Sequence, residues 1–306
     1  MTRPRRWALA AALLALTAFA SPALAQTTKL TIGYPPANDF LPAFVAKDEG
    51  FFSKRGLDVT LTPQRVVSNI PVALSSGALD IGALPPTVIL GAREGGLDLV
   101  AITGISRQSR EHPTISLLVN KASTIRSASD LQGKKVGVPG LFGGIDLMLR
   151  AWLEQKNVPL SAVTFVEVPF PAMADLLARN QIDAVATIEP TRTRILAGGN
   201  AYNVSNYVSD LIEDVSLVTW GSTRAWAASH RDTVARFRAA LAEAQAFMAS
   251  HPDQAKAIET KYLGFSGPTG VFSPSLTPAD FLFYANAMRS IGLLKNPIDF
   301  STLIYR

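Results

Sequence analysis

Few side chains in this sequence are spaced to do covalent or metal chemistry. There is no cysteine, and the three histidines are scattered: His112 and His251 each precede a proline, and His230 sits in a polar stretch. No His-x-x-x-His pair, Asp-rich loop or thiolate cluster supplies metal-ligand spacing. Neither a Gly-x-Ser-x-Gly elbow nor a Gly-Lys-Thr phosphate loop occurs. A hydrolase would lack its nucleophile, and a nucleotide hydrolase its phosphate cradle. The chemistry left open is non-covalent: hydrogen bonding, stacking and charge pairing around a ligand.

Residues suited to that chemistry fall in loops after short β-branched runs, where open α/β sheets hold ligands beyond the carboxyl ends of their strands. After Lys29 to Gly33 come Tyr34, Asn38, Asp39 and Phe40. Asn38 or Asp39 can cap the next helix or face a ligand, and the two rings can wall a site or pack in a core. Thr87, behind two prolines, can cap a helix and still present its hydroxyl. In the segment GLFGGI (140–145), Gly143 and Gly144 let a ligand approach the backbone of a helix start, and Phe142 offers a stacking face. Asp146 lies in that helix's first turn, where it complements the dipole and disfavours a second anion. Glu189 ends a later strand and can accept ligand N–H groups or pair with Arg192 or Arg194. Trp220 can close over a planar ligand or fill a core. Arg107 has the forked geometry that grips a carboxylate or sulfonate, the alternative being a solvated loop side chain.

The elements that would position these residues alternate. Leu57 to Thr62, Asp80 to Leu84, Leu99 to Thr103, Lys135 to Val138, Val163 to Val168 and Asp183 to Thr187 read as strands, with helix-like stretches between most of them. That alternation predicts an α/β fold with largely parallel strands. An internal echo adds to it: IPVALSSGALDIGALPPT (70–87) and PAMADLLARNQIDAVATIEPT (171–191) both run helix, Gly or Asn stop, Asp-led strand, then a Pro-Thr loop. Gly77 and Asn180 stand where a left-handed residue ends a helix. Two similarly wound lobes follow, with a cleft between them. The expected boundaries are 26–113 for the first part of lobe 1, 114–217 for lobe 2 and 218–306 for the return to lobe 1. Thr114 to Asn120 and Val215 to Trp220 are the expected crossings, and two crossings make a hinge. Arg231 to Ser250 is amphipathic at helical spacing, and Thr277 with Pro278 opens a further helix.

The first residues, MTRPRR, precede an apolar run from Trp7 to Ala20 and then SPALAQ. This is the pattern of a cleavable signal peptide over residues 1–25, with a mature start at Gln26. Without a cysteine at that site no lipid anchor can be attached, so export leads to a freely soluble protein. The formal charge of +5 loses three arginines with the leader, leaving +2. Such a balance argues for neither nucleic acid nor a membrane surface as a partner.

The segment DEGFFSKRGLDV (48–59) resembles the "GFFKEEGLDV" region of the nitrate, sulfonate, taurine and pyrimidine-precursor branch of periplasmic binding proteins, the NMT1/THI5-like family. ALSSGALDIG (73–82), SDLQGKKVGVPG (129–140) and QIDAVATIEP (181–190) agree with that family in order and spacing. The resemblance implies a type II two-lobed fold, each lobe a mixed, largely parallel sheet flanked by helices, with hinge strands between. It implies a monomer without cofactor or metal that closes on a small molecule in the periplasm. The delivery partners would be the membrane permease of an ABC importer and its cytoplasmic ATPase. Two departures bear on the ligand. The loop holding Phe142 carries Ser or Thr in much of the family, and Ile188 replaces the aromatic of the family's Trp-Glu-Pro. The expected ligand is a small organic molecule, a sulfonate, an aromatic or heterocyclic acid or a pyrimidine-like compound, and with Asp146 and Glu189 these departures favour a larger, partly aromatic or heterocyclic one with hydrogen-bond donors over nitrate or a small sulfonate. The contrasting expectation is an enzyme on the same scaffold, of thiamine-pyrimidine synthase or lyase type. Those synthases carry a Cys-rich segment that this chain lacks. A ligand-sensing regulatory domain is a third reading, but it would need a DNA-binding or membrane module.

Overall fold

The computed structural model describes residues 27–268 and 270–306, so the expected signal peptide lies outside the described residues. The elements in chain order are β1 (Thr28–Tyr34), α1 (Leu41–Asp48), β2 (Leu57–Pro63), α2 (Ile70–Ser75), β3 (Ile81–Leu84), α3 (Pro86–Glu94), β4 (Leu99–Ser109), β5 (Ile115–Asn120), β6 (Lys135–Val138) and α4 (Gly144–Gln155). They continue with β7 (Thr164–Glu167), α5 (Phe170–Ala178), β8 (Ala184–Ile188), α6 (Thr191–Ala197), β9 (Ala201–Ser205), α7 (Tyr207–Leu211), β10 (Asp214–Thr223), α8 (Arg224–Ser229), α9 (Arg231–Ser250), α10 (Pro252–Leu263), β11 (Val271–Phe272) and α11 (Ala279–Ser290).

Two mixed sheets result. The first has the order β11-β4-β10-β3-β1-β2 and the second β7-β6-β8-β5-β9. In each, a βαβαβ unit makes three parallel strands, with β1 or β6 in the middle, and an antiparallel strand joins beside β3 or β8. The internal echo is therefore a structural repeat, and its Asp has a definite task. Asp80 Oδ2 accepts the amide N–H of Thr31 at 2.7 Å, and Asp183 Oδ2 accepts that of Lys135 at 2.7 Å. Each carboxylate ties the strand it precedes to the central strand of its own lobe, at the middle of β1 and at the start of β6. Gly77 and Asn180 stop the preceding helices at φ 74° and 54°, in the left-handed region.

The strands change sheet twice. β5 lies wholly in the second sheet, so the first crossing is the link 110–114. Gln108 Oε1 fixes it by accepting the Thr114 hydroxyl and the amides of Thr114 and Ile115 at 3.0–3.2 Å. β10 joins the first sheet from Asp214 onward, opposite Ser109. The return thus falls between β9 and β10, earlier than the expected boundary after Leu217. The two crossings run side by side, with the Arg110 amide donating to the Glu213 carbonyl at 3.0 Å. The C-terminal helices return to lobe 1, where α9 and α10 pack on α1. There Phe40, Trp220, Phe237 and Phe52 form a chain of ring contacts 5.2–5.9 Å apart. Among the described residues no helix is long and apolar enough to cross a membrane.

Candidate functional site

A cavity of about 70 Å³ lies where the lobes meet, at the carboxyl ends of β1, β3, β6 and β8. Lobe 1 contributes Pro35, Ala37, Asp39, Phe40 and Pro85, with Leu217 and Val218 from β10; lobe 2 contributes Gly140, Gly143 to Ile145, Met148, Phe170 and Ile188. The lobes touch around it. Ser68 Oγ of lobe 1 donates to Glu167 of lobe 2 at 3.1 Å, and the Asn38 amide donates to the Glu189 carbonyl at 3.3 Å. The cavity is well below the several hundred ångström³ of a typical ligand pocket.

Its lining is apolar except for Asp39, the single ionisable side chain among the lining residues. Asp39 is 7 % exposed and accepts a hydrogen bond from the Ser106 hydroxyl. Burial away from water raises its pKa to about 6, outweighing the hydrogen bonds that favour the carboxylate.

Ten residues were expected at the site, and the structure brings three of them together at this cavity: Phe40, Gly143 and Gly144. Asn38 is buried beside them but donates to the Pro268 carbonyl at 2.9 Å, so its neighbour Asp39 is the one facing inward. Tyr34 packs edge-on against Phe44 at 5.0 Å in the lobe 1 core. Trp220, 1 % exposed, is a core residue between Phe40 and Phe237, because its β10 position points into the aromatic chain. Arg107 does not reach the cavity; its guanidinium is held by Asp214 at 2.7 Å and Asp280 at 2.6 Å. Glu189 is fully buried and pairs with Arg192 at 2.7 Å while accepting the Thr193 amide at 3.1 Å. Phe142 is 45 % exposed, with the Arg150 guanidinium over its ring. It lies with Thr87 along a separate groove behind the glycine loop. Asp146 caps this loop, accepting the Phe142 amide at 2.7 Å and pairing with Arg150 at 2.9 Å.

Sequence reasoning missed the prolines. Pro35, Pro85 and Pro139 each follow a strand directly and each lines the cavity. That recurrence is visible in the sequence and marks the cleft-facing loops. Among the described residues no group of three or more His, Cys, Asp or Glu could hold a metal ion.

Known proteins of this shape are numerous. A Brucella abortus (strain 2308) protein that is ascribed a binding role is 28 % identical over 266 residues, covering 82 % of this chain and 76 % of its own. The alkanesulfonate-binding protein SsuA of Xanthomonas axonopodis pv. citri, solved with MOPS, superposes with a TM-score of 0.78 at 18 % identity, covering 91 % of this chain and 98 % of that one. The periplasmic nitrate-binding protein NrtA of Synechocystis PCC 6803 gives 0.72 at 15 % identity, with 90 % and 84 % covered. The desulfurization enzyme DszB gives 0.64 at 17 % identity, with 90 % and 96 % covered, so the fold also carries catalysts. The fold is thus that of the periplasmic binding proteins. The model of the family described as "NMT1/THI5 like" matches residues 37–255, and the chain belongs to that family.

Proposed function

We propose that this chain is the periplasmic solute-binding component of an ABC importer, which traps a small organic molecule by closing its lobes and presents it to a membrane permease with its cytoplasmic ATPase. The observation that carries the reading is the apolar cavity between two lobes that, among the described residues, are joined by two adjacent crossings. Closure around a ligand is the motion such a linkage permits, and a ligand shifts the equilibrium toward the closed form by its extra affinity for that form. Export through the N-terminal signal pattern and a leader-free, monomeric mature protein belong to the same reading.

An enzyme on this scaffold has less support. Asp39 is the one ionisable side chain among the described lining residues, and the hydroxyl paired with it, Ser106, is buried and does not line the cavity. The reading is tested by thermal shift and calorimetry with sulfonates, pyrimidines, aromatic and aliphatic amines, aromatic acids and nitrate. Saturable one-to-one binding without turnover is expected. Turnover of any panel member, or no response to the whole panel, would overturn it.

A further inference from the structure

Helix N-termini are the usual means by which a cleft of this kind holds an anion, because their free N–H groups and dipole favour negative charge. Four helices begin at this cavity, α1 behind Phe40, α3 at Pro85, α4 at Gly143 and Gly144, and α5 at Phe170. In each of the four the first turn favours an anion less than a plain helix start would. Three carry proline there, which removes one of the free N–H groups: Pro42 in α1, Pro86 in α3 and Pro171 in α5. The fourth already holds a carboxylate of its own, since the fully buried Asp146 accepts the Phe142 amide at the entrance to α4. The nearby α6 is treated likewise, with Glu189 accepting the Thr193 amide.

Cationic side chains are withheld from the cavity as well. Arg107 follows Ser106 on β4 and points to the opposite face of the sheet, where Asp214 and Asp280 engage it. Arg150 is spent on Asp146, and Arg192 on Glu189. What remains in the apolar lining is one carboxyl group, Asp39, with the Ser106 hydroxyl as its side-chain partner among the described residues.

We infer that the cleft selects against anions and takes a small, largely apolar molecule bearing a protonated amine, whose N–H groups dock on Asp39. This rests on the solute-binding reading above and names the ligand class of that same site. The cation replaces the water that burial removes from the carboxylate, and the apolar walls enclose the hydrocarbon part. Charge therefore separates this cleft from one that takes sulfonate or nitrate, on the same fold. Binding of an amine should also strengthen as pH rises through the Asp39 transition. Burial sets that transition near 6, with Ser106 and the Asp39 backbone as its hydrogen-bonding partners and no charged side chain contributing.

The test is calorimetry of the full mature chain with three probes of equal length: butylammonium, butanol and butanesulfonate. Butylammonium should bind about tenfold or more tightly than butanesulfonate, and Asp39→Asn should cut its affinity by about tenfold or more while sparing butanol. Ser106→Ala, which leaves the charge in place, should lower amine affinity less than Asp39→Asn. If butanesulfonate binds the wild type at least as tightly as butylammonium, or if Asp39→Asn leaves the amine unaffected, the ligand class is wrong while cleft binding stands. If none of the three binds, the ligand class is wrong, and the cleft reading falls with it only if the wider panel also gives no response.

Discussion

Gly144, the first residue of α4 in lobe 2, faces Pro85 of lobe 1 so closely that a methyl in place of its hydrogen would come within 3.5 Å of Pro85 Cβ and 3.8 Å of the Leu217 carbonyl. A methyl at this position makes ordinary van der Waals contact with the facing lobe, whereas a side chain that reaches further runs into it. Gly144→Trp should wedge the lobes apart. Overpacking of this kind costs about 1–3 kcal/mol, which weakens ligand binding by about tenfold or more. The variant should keep its circular dichroism spectrum and show a larger radius of gyration by small-angle scattering.

Asp39 makes the unliganded protein pH-sensitive. Its pKa is raised from 3.8 to about 6, so the folded state holds a proton that the unfolded chain has released. Stability is therefore greatest below about pH 4 as far as this group is concerned, and falls as pH climbs to about 6, by roughly 2–3 kcal/mol. Glu259, raised to about 7 chiefly by burial, adds a loss of the same sign between about pH 4.5 and 7. Urea melts across that range should show the decline, and Asp39→Asn should make it shallower below about pH 6 and leave the Glu259 share up to about pH 7.

Gln108 staples the first crossing through one oxygen that accepts three donors. Replacing it with alanine leaves buried N–H groups unpaired, at about 1–3 kcal/mol. The loss should appear in chemical denaturation, and hydrogen exchange should quicken at Thr114 and Ile115 ahead of the sheet interiors.

Asp80 and Asp183 do the same work in different lobes. Asp80→Ala should raise exchange at Thr31 in the middle of β1 and Asp183→Ala at Lys135 at the start of β6, each by the loss of about 1–2 kcal/mol of local stability. Destabilisation spread equally over both lobes by either variant would show that the repeat is not built from independent units.

The fold was largely legible because its signals are local. Asp-led strands, Gly77 and Asn180 as helix stops, and the amphipathic span from Arg231 to Ser250, which is α9, are all set by residues near one another in sequence. The site was less legible, since orientation there is decided by partners far along the chain. Arg107 finds Asp280, 173 positions away, and Asn38 finds Pro268, 230 positions away. Glu189 is the exception: its partner Arg192 is three residues on, and the ion pair was one of the two roles open to it. Trp220 and Tyr34 sit in strands that end at the cleft, yet strand alternation turns their rings into the lobe 1 core.

The central claim is that a small molecule is held between the lobes, and native mass spectrometry of protein purified without denaturation tests it most directly. The wild type should carry a single small adduct in one-to-one ratio, released on unfolding, and Gly144→Trp should carry none. An adduct retained equally by Gly144→Trp, or no adduct on the wild type at any loading, would contradict the account.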